Sequence, residues 1–414
     1  MRLKTVRKID YWIGIPICFF ISLWHLFLGK LLFSKKKTPR KILFIELSEM
    51  GSAILSYSAL HQAQKQFEKA ELFFLIFESN VESVKVLNII PPQNIITIRD
   101  KTFFGFAVSS LAALRQTYKI KIDTVIDMEL FSRFTTIFSY LTGASNRVGF
   151  HQYTGEGLFR GGFITHRVLY NPHQHISLNF LNLLFSLKAP NNEIPLLKQN
   201  LTNKLVPLPV HKVTQKEKAD IFDLLNKKNK AINAQSPIII ISAYPGELLP
   251  FRGWPINRYI DLVKQLLEKD QEIYIVLTGL PAATNYNNQI ISQVKNHRCI
   301  DLSGQTDSLN DFINLLSLAK VLITNDGGPA HFGSLIDLHT VVLFGPETPA
   351  LYSPIGNSVT ALYSNFSCSP CITAFNHRNT VCYDNKCLQA ISVDQVLTAV
   401  TEAYGNHLKV KKLN

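Results

Sequence analysis

From Lys41 onward the chain alternates short apolar runs with amphipathic stretches. KILFIEL, ELFFLIF, NIITI and IDTVIDM read as strands, and the segments 52–66, 81–89, 104–118 and 131–142 between or after them read as helices, before RVGF. Strands that are apolar almost throughout belong in a parallel sheet with both faces covered. A second series opens at PIIIISAYPG. It continues through a helix at 255–269, the strand EIYIVLTG, a polar helix, a short strand at 299–302 and a helix at 308–319. VLITN, a helix from Pro329 and HTVVLFG complete it. The polar stretch 190–236, with Pro207, Pro209 and a lysine-rich helix at 214–228, reads as the connection. The expected fold class is therefore α/β with two doubly wound domains, 38–207 and 208–414, preceded by an apolar segment, 1–37. The default ligand site in such a fold is the crevice at the carboxyl ends of the strands.

The apolar segment is YWIGIPICFFISLWHLFLG, 11–29. It is long enough for a marginal membrane span and holds no acidic or strongly basic residue. Arg2, Lys4, Arg7 and Lys8 precede it, and Lys30, Lys35, Lys36, Lys37, Arg40 and Lys41 follow. No small-residue cleavage site follows, which argues against a removed signal peptide. A spanning anchor and an interfacial helix both remain open. Pro16, Ser22 and His25 interrupt the apolar run, while Tyr11, Trp12 and Trp24 suit the headgroup layer.

The formal charge of +13 points to anionic partners. Basic residues are densest beside the apolar segment, and the aromatic residues do not interleave with Lys and Arg as in single-strand binders. A membrane surface is therefore expected, and nucleic acid is not. The main body is expected on the cytoplasmic face of the inner membrane, membrane-associated.

The chemistry concentrates in NDGGPAHFGSLIDLHTVVLFGPETP, 325–349. VLITN delivers Asp326 to a strand end; Gly327 and Gly328 permit a tight turn with φ above zero and a close backbone approach; Pro329 stands where a first helical residue belongs. Helix N–H groups at that point, with His331 in the same turn, form an anion site that suits a diphosphate.

TNDGGPAHFGSLIDLHTVVLFGPETP closely resembles the signature of the heptosyltransferases, glycosyltransferase family 9, which build the lipopolysaccharide core. SGQTDSLNDFINLLSLAKVLITND, FRGWPINRYIDLVKQL and ILFIELSEMGSAILSYSAL resemble further family segments, in the family's order. The resemblance implies a GT-B fold of two facing Rossmann-like domains, the first for the acceptor and the second for the nucleotide sugar. It implies inverting transfer of heptose from ADP-heptose to a lipopolysaccharide-core or related glycolipid acceptor. Carried over by motif, Asp326, Gly327, Gly328 and His331 meet the donor's sugar and diphosphate, Arg252 replaces the family's phosphate-binding lysine, and Gly279 of TGL joins the donor-binding positions. Departure of a nucleotide diphosphate develops negative charge that N–H groups and a guanidinium can stabilise without metal. No Asp-x-Asp motif occurs in the chain.

Two departures bear on the chemistry. Family members carry Gly-Asp in the acceptor loop, with that Asp the presumed general base; here the pair is Gly51-Ser52, and a serine hydroxyl is far too weak a base by itself. Glu49 is the carboxylate that could substitute, so Glu49 and Asp326 are the catalytic candidates. After TGL, where members often place an acidic ribose ligand, this chain has Ala282, Ala283 and Thr284. A catalytically degenerate relative that binds a nucleotide sugar or glycolipid at the membrane is the alternative reading.

Within a Cys-rich loop, 364–390, CSPCITAFNHRNTVCYDNKC spaces Cys368, Cys371, Cys382 and Cys387 as for a tetrahedral structural zinc site, with His377 a spare ligand. Free thiols or disulfides are the other options, the latter disfavoured in the cytosol. A zinc-dependent membrane scaffold would rest on this cluster and the anchor alone.

Overall fold

The computed structural model describes residues 3–29, 38–155, 158–190, 193–247 and 249–411. The basic residues Arg2, Lys30, Lys35, Lys36 and Lys37 of the apolar segment's flanks lie outside them. The chain divides into two compact units: Met1–Pro207 with Thr373–Arg378, and Leu208–Ile372 with Asn379–Asn414.

Unit 1 is built on six strands: β1 (Lys41–Ile45), β2 (Glu71–Phe77), β3 (Ile95–Ile98), β4 (Thr124–Asp127), β5 (Asn146–His151) and β6 (His166–Leu169). All pair in parallel, in the order β3-β2-β1-β4-β5-β6. The buried pattern of β1, β2 and β4 matches their unbroken apolar runs, as a doubly covered sheet requires. The stretch expected as one helix at 52–66 is two, Met50–Leu55 and Tyr57–Gln66. They break at Ser56, whose Oγ donates to the Ala53 carbonyl at 2.7 Å and competes with the helical ladder. The helix expected at 81–89 closes early, as Val81–Lys85, because Asn88 takes a left-handed φ of 49° ahead of Pro91-Pro92.

Two helices on the same sheet face matter below. Phe103–Ile120 starts at Thr102, whose Oγ1 accepts from Gly105 N at 3.1 Å, and stops at Lys121 with φ 61°. Arg133–Leu141 lies beside it, with Phe106 packed on Phe134. The apolar N-terminal segment is helical too, as Leu3–Trp12 and Gly14–Trp24 followed by a π-turn at His25–Gly29. It is long and apolar enough to cross a membrane by length and composition.

Unit 2 repeats the architecture with β7 (Ile238–Ser242), β8 (Tyr274–Leu277), β9 (Cys299–Asp301), β10 (Ala319–Asn325), β11 (Thr340–Phe344) and β12 (Val359–Tyr363), parallel in the order β12-β11-β10-β7-β8-β9. Helices Ile256–Lys269 and Val393–Lys411 cover one face over a core containing Trp254, Tyr259, Leu262, Leu266, Val396 and Val400. The lysine-rich helix Gln215–Lys228 is closed by a capping box, Thr214 with Glu217.

Candidate functional site

In each sheet the strand order reverses once, between β1 and β4 in unit 1 and between β7 and β10 in unit 2. A ligand approaching an open parallel sheet finds its crevice at the carboxyl end of such a reversal. The predicted site residues gather at these two places.

At the unit 2 reversal, β10 ends at Asn325. Its buried amide accepts from Trp254 N at 2.9 Å and from Tyr259 Oη at 3.0 Å, and donates to the Ala243 carbonyl at 2.8 Å. Trp254 is buried, with its indole N–H donating to the Ile391 carbonyl at 3.0 Å. The Trp of RGWP is thus a core anchor that fixes the preceding turn, and with it Arg252. Arg252 Nε lies 3.7 Å from Asp326 Oδ2, and Arg252 Nη2 lies 3.5 Å from Glu347 Oε1. One guanidinium therefore faces two buried carboxylates. Arg252 Nε and Asp326 Oδ2 are themselves buried without a hydrogen-bond partner. Such orphaned charged atoms are costly unless a ligand completes them.

Burial raises the Asp326 pKa against the opposing pull of Arg252. It raises that of Glu347 further, to about 8; Arg252 pulls it down and Asp326 pushes it up. Burial thus favours the neutral form of Glu347 at neutral pH. No motif in the sequence singles it out. The missed signal is a carboxylate immediately after an apolar strand that ends at the same edge as Asp326.

The Gly-Gly turn differs from expectation. Gly327 is fully extended, φ 176°, and neither glycine has the positive φ anticipated. The helix that follows, Gly328–Gly333, is only six residues long. Pro329 lacks an N–H and Ala330 N donates to Gly327 O at 3.2 Å, so in this turn the N–H groups of Gly327 and Gly328 are the backbone donors left for a ligand. A Cβ at Gly327 would meet nothing closer than 3.9 Å, so what the glycine preserves is open space. Asp326 caps nothing, since the N-cap is Gly327 without a side-chain bond. His331 is buried in the short helix. Gly279 follows β8 with φ +157°, and a Cβ there would strike Ala283 Cβ at 2.5 Å, so this turn does require glycine.

At the unit 1 reversal, Glu49 precedes helix Met50–Leu55, which carries Gly51 and Ser52. Ser52 Oγ donates to Glu49 Oε2 at 3.0 Å, and Glu49 Oε1 is ion-paired with Arg378. Arg378 comes from Thr373–Arg378, the segment between Cys371 and Cys382 that belongs to unit 1. Phe375 of that segment packs on Phe131 and Tyr170. Glu129, after β4, accepts from Leu47 N at 2.7 Å, Ser48 N at 3.0 Å and Ser48 Oγ at 3.0 Å. Asp127 is buried against Arg160 and takes Glu129 N at 3.2 Å. Glu46 is buried between these groups; its pKa is pushed well up by burial, and further by Glu129 and Asp127, against the pull of Arg378. Glu46, Glu129 and Arg378 were not anticipated, the last because it arrives from far along the chain. A separate groove of about 490 Å³ in unit 1, lined by Asn171, Gln174, Asn182, Leu197 and Lys198 among others, contains none of the predicted site residues.

None of the six cysteines, all of them among the described residues, forms a disulfide. Among the described residues no three His, Cys, Asp or Glu side chains are placed to hold a metal ion. Cys371 Sγ accepts from Thr380 Oγ1 at 3.4 Å and Cys382 Sγ donates to the Asp384 carbonyl at 3.2 Å. The structural-zinc expectation thus finds no ligand set there.

The model of glycosyltransferase family 9 (heptosyltransferase) matches residues 115–381, well over half of the chain. The chain belongs to glycosyltransferase family 9. It is 27% identical over 136 residues to lipopolysaccharide heptosyltransferase 2 of Salmonella typhimurium, a match covering 32% of this chain and only 38% of that relative. To lipopolysaccharide heptosyltransferase 1 of Campylobacter coli it is 20% identical over 387 residues, 88% of this chain and 99% of the relative. In fold, this family 9 chain is similar to E. coli ADP-heptose lipopolysaccharide heptosyltransferase II, with TM-score 0.65, 17% identity and coverage of 89% and 99% of the two chains. It is likewise similar to a family 9 glycosyl transferase of Veillonella parvula, with TM-score 0.71, 17% identity and coverage of 90% and 100%. An E. coli heptosyltransferase solved with ADP shares the fold at TM-score 0.61 and 15% identity, covering 88% of this chain and 99% of that one.

Proposed function

We propose that the protein is an inverting, metal-independent glycosyltransferase that moves heptose from ADP-heptose to a lipopolysaccharide-core or related glycolipid acceptor at the cytoplasmic face of the inner membrane. The observation that carries this reading is the partly buried Arg252 shared by the buried Asp326 and Glu347, with Arg252 Nε and Asp326 Oδ2 lacking hydrogen-bond partners at the end of the strand that leads into Gly327 and Gly328. A diphosphate supplies the acceptors that Arg252 and the two N–H groups need, and a sugar hydroxyl supplies the donor that Asp326 needs.

As the anomeric C–O bond to the diphosphate breaks, negative charge grows on the leaving phosphate oxygen, and Arg252 opposes it in a buried setting where charge interactions are strong. Protonated Glu347 withholds a second negative charge from that place. Inversion requires the acceptor oxygen to attack the anomeric carbon from the face opposite the leaving group while its proton passes to a base. Glu49 is the proposed base, oriented by Ser52 and Arg378. That double engagement also favours a second reading, in which Glu49 is locked and the chain binds donor without turning it over.

Purified protein, ADP-heptose and core-truncated lipopolysaccharide distinguish the two. Release of ADP in the presence of chelator, lost on Asp326→Ala, supports the transferase. Saturable ADP-heptose binding with no ADP release supports the binding-only relative. Binding that survives Asp326→Ala undiminished removes the donor site from this place altogether.

A further inference from the structure

The N-terminal helices are fastened to unit 1 from Asp10 to His25. Asp10 accepts from Arg133 N at 3.0 Å and Phe134 N at 3.1 Å, closing the start of helix Arg133–Leu141, and pairs with Arg133 Nη1 at 3.1 Å. Gly14 approaches so closely that a Cβ would lie 2.9 Å from Arg133 Cβ. Cys18 is buried with Tyr140 and Phe163, Ser22 Oγ accepts from Gly162 N at 2.8 Å, and the His25 ring meets Tyr140 edge-on. These inward positions recur every three to four residues from Asp10 to His25, so one stripe of the helix is docked.

The opposite stripe carries Trp12, Phe19, Phe20, Trp24 and Phe27, with Trp12 and Phe27 each 73% exposed. A helix tied down at five points between Asp10 and His25 would have to give up these contacts to leave its domain and cross a bilayer. On the same face of the unit, helix Phe103–Ile120 presents a second apolar stripe, Phe104, Val108, Leu111 and Tyr118, with Phe104 78% exposed and Leu111 69% exposed. It is flanked by exposed Arg99, Lys101, Arg115, Lys119 and Lys121.

We infer that the exposed stripe of the N-terminal helices and that of helix Phe103–Ile120 form one docking face that lies in the plane of an anionic lipid surface. Aromatic side chains framed by Lys and Arg match the headgroup boundary of such a surface. The sole acidic residue of the N-terminal helices, Asp10, is turned inward onto Arg133, so these helices offer no outward carboxylate to pair with the basic side chains of a second copy, and an anionic lipid surface is the better match for the face. The inference sharpens the proposed membrane location and is independent of what is transferred, because its readout is lipid binding and not turnover.

The test uses the full chain with vesicles of equimolar phosphatidylglycerol and phosphatidylcholine. Trp12→Phe and Trp24→Phe each leave one tryptophan in the helix, and lipids brominated at different depths report its position. An in-plane helix places both at the same shallow depth. In a spanning helix the two lie about 18 Å apart along the bilayer normal, one toward each leaflet, so loss of quenching of either by lipids brominated in the outer leaflet alone overturns the inference. Phe104→Ser with Leu111→Ser, checked by an unchanged thermal melt, weakens vesicle binding about tenfold if the second stripe inserts. Unchanged binding overturns the shared face. A concentration-dependent dimer without vesicles, abolished by the same double substitution, assigns the face to a second copy instead.

Discussion

The two strand-order reversals hold similar groups in opposite states of completion. In unit 1, Glu129 is saturated by the Leu47 and Ser48 N–H groups, Asp127 by Arg160, and Glu49 by Ser52 and Arg378. In unit 2, Asp326 and Glu347 share one arginine at 3.5–3.7 Å, beyond good hydrogen-bond range, and buried atoms of Arg252 and Asp326 have no partner. A site whose charges are already satisfied is organised for position. A site whose charges are not satisfied is organised for a charged visitor, which is the reason for proposing unit 2 as the donor's place.

The largest expected effect is on the scaffold that makes the unit 2 site incomplete. Trp254→Ala removes the buried indole that sets the Arg252 turn and costs about 3–5 kcal/mol in denaturant unfolding. A loss confined to surface-substitution size would mean that the turn is held by something else. Next, Asp326→Ala lowers ADP release about 100- to 1000-fold in steady-state kinetics, with donor affinity falling too. If the same loss came with donor affinity intact, the two sites would be more alike than claimed here.

Glu49→Gln lowers kcat about 100-fold while leaving the calorimetric affinity for ADP-heptose unchanged. A change in donor affinity would erase the division between the units. The smallest effect is a matter of pH. Between 4.5, the ordinary value for Glu, and about 8, folded Glu347 holds a proton that the unfolded chain has released, so stability falls as pH rises through this window. Deprotonation near 8 also places a negative charge beside the diphosphate and weakens donor binding. Glu347→Gln flattens both profiles, readable from thermal melts and binding titrations across that range.

Much of this was legible along the chain. Long apolar strands such as PIIIIS and VLITN can lie only in a covered parallel sheet, and Asp326 and Arg252 were visible because each sits in a short motif at a strand end or helix start. Glu347 was not, because nothing local marks a carboxylate as buried against a guanidinium 95 residues away. Arg378 was still less so: it reaches Glu49 only because Thr373–Arg378 folds into unit 1. Of the two reasons for the Gly-Gly turn, the positive φ does not hold, while room for a close backbone approach is kept at Gly327, where a Cβ would stand in open space.

The sequence by itself determined the class of fold and where each strand delivers its polar residues, since side-chain periodicity and turn chemistry are local properties. Tertiary structure decided which carboxylates burial pushes toward the neutral form and which face of the N-terminal helix points outward. Both depend on burial and on partners distant in the chain, and no local pattern records either.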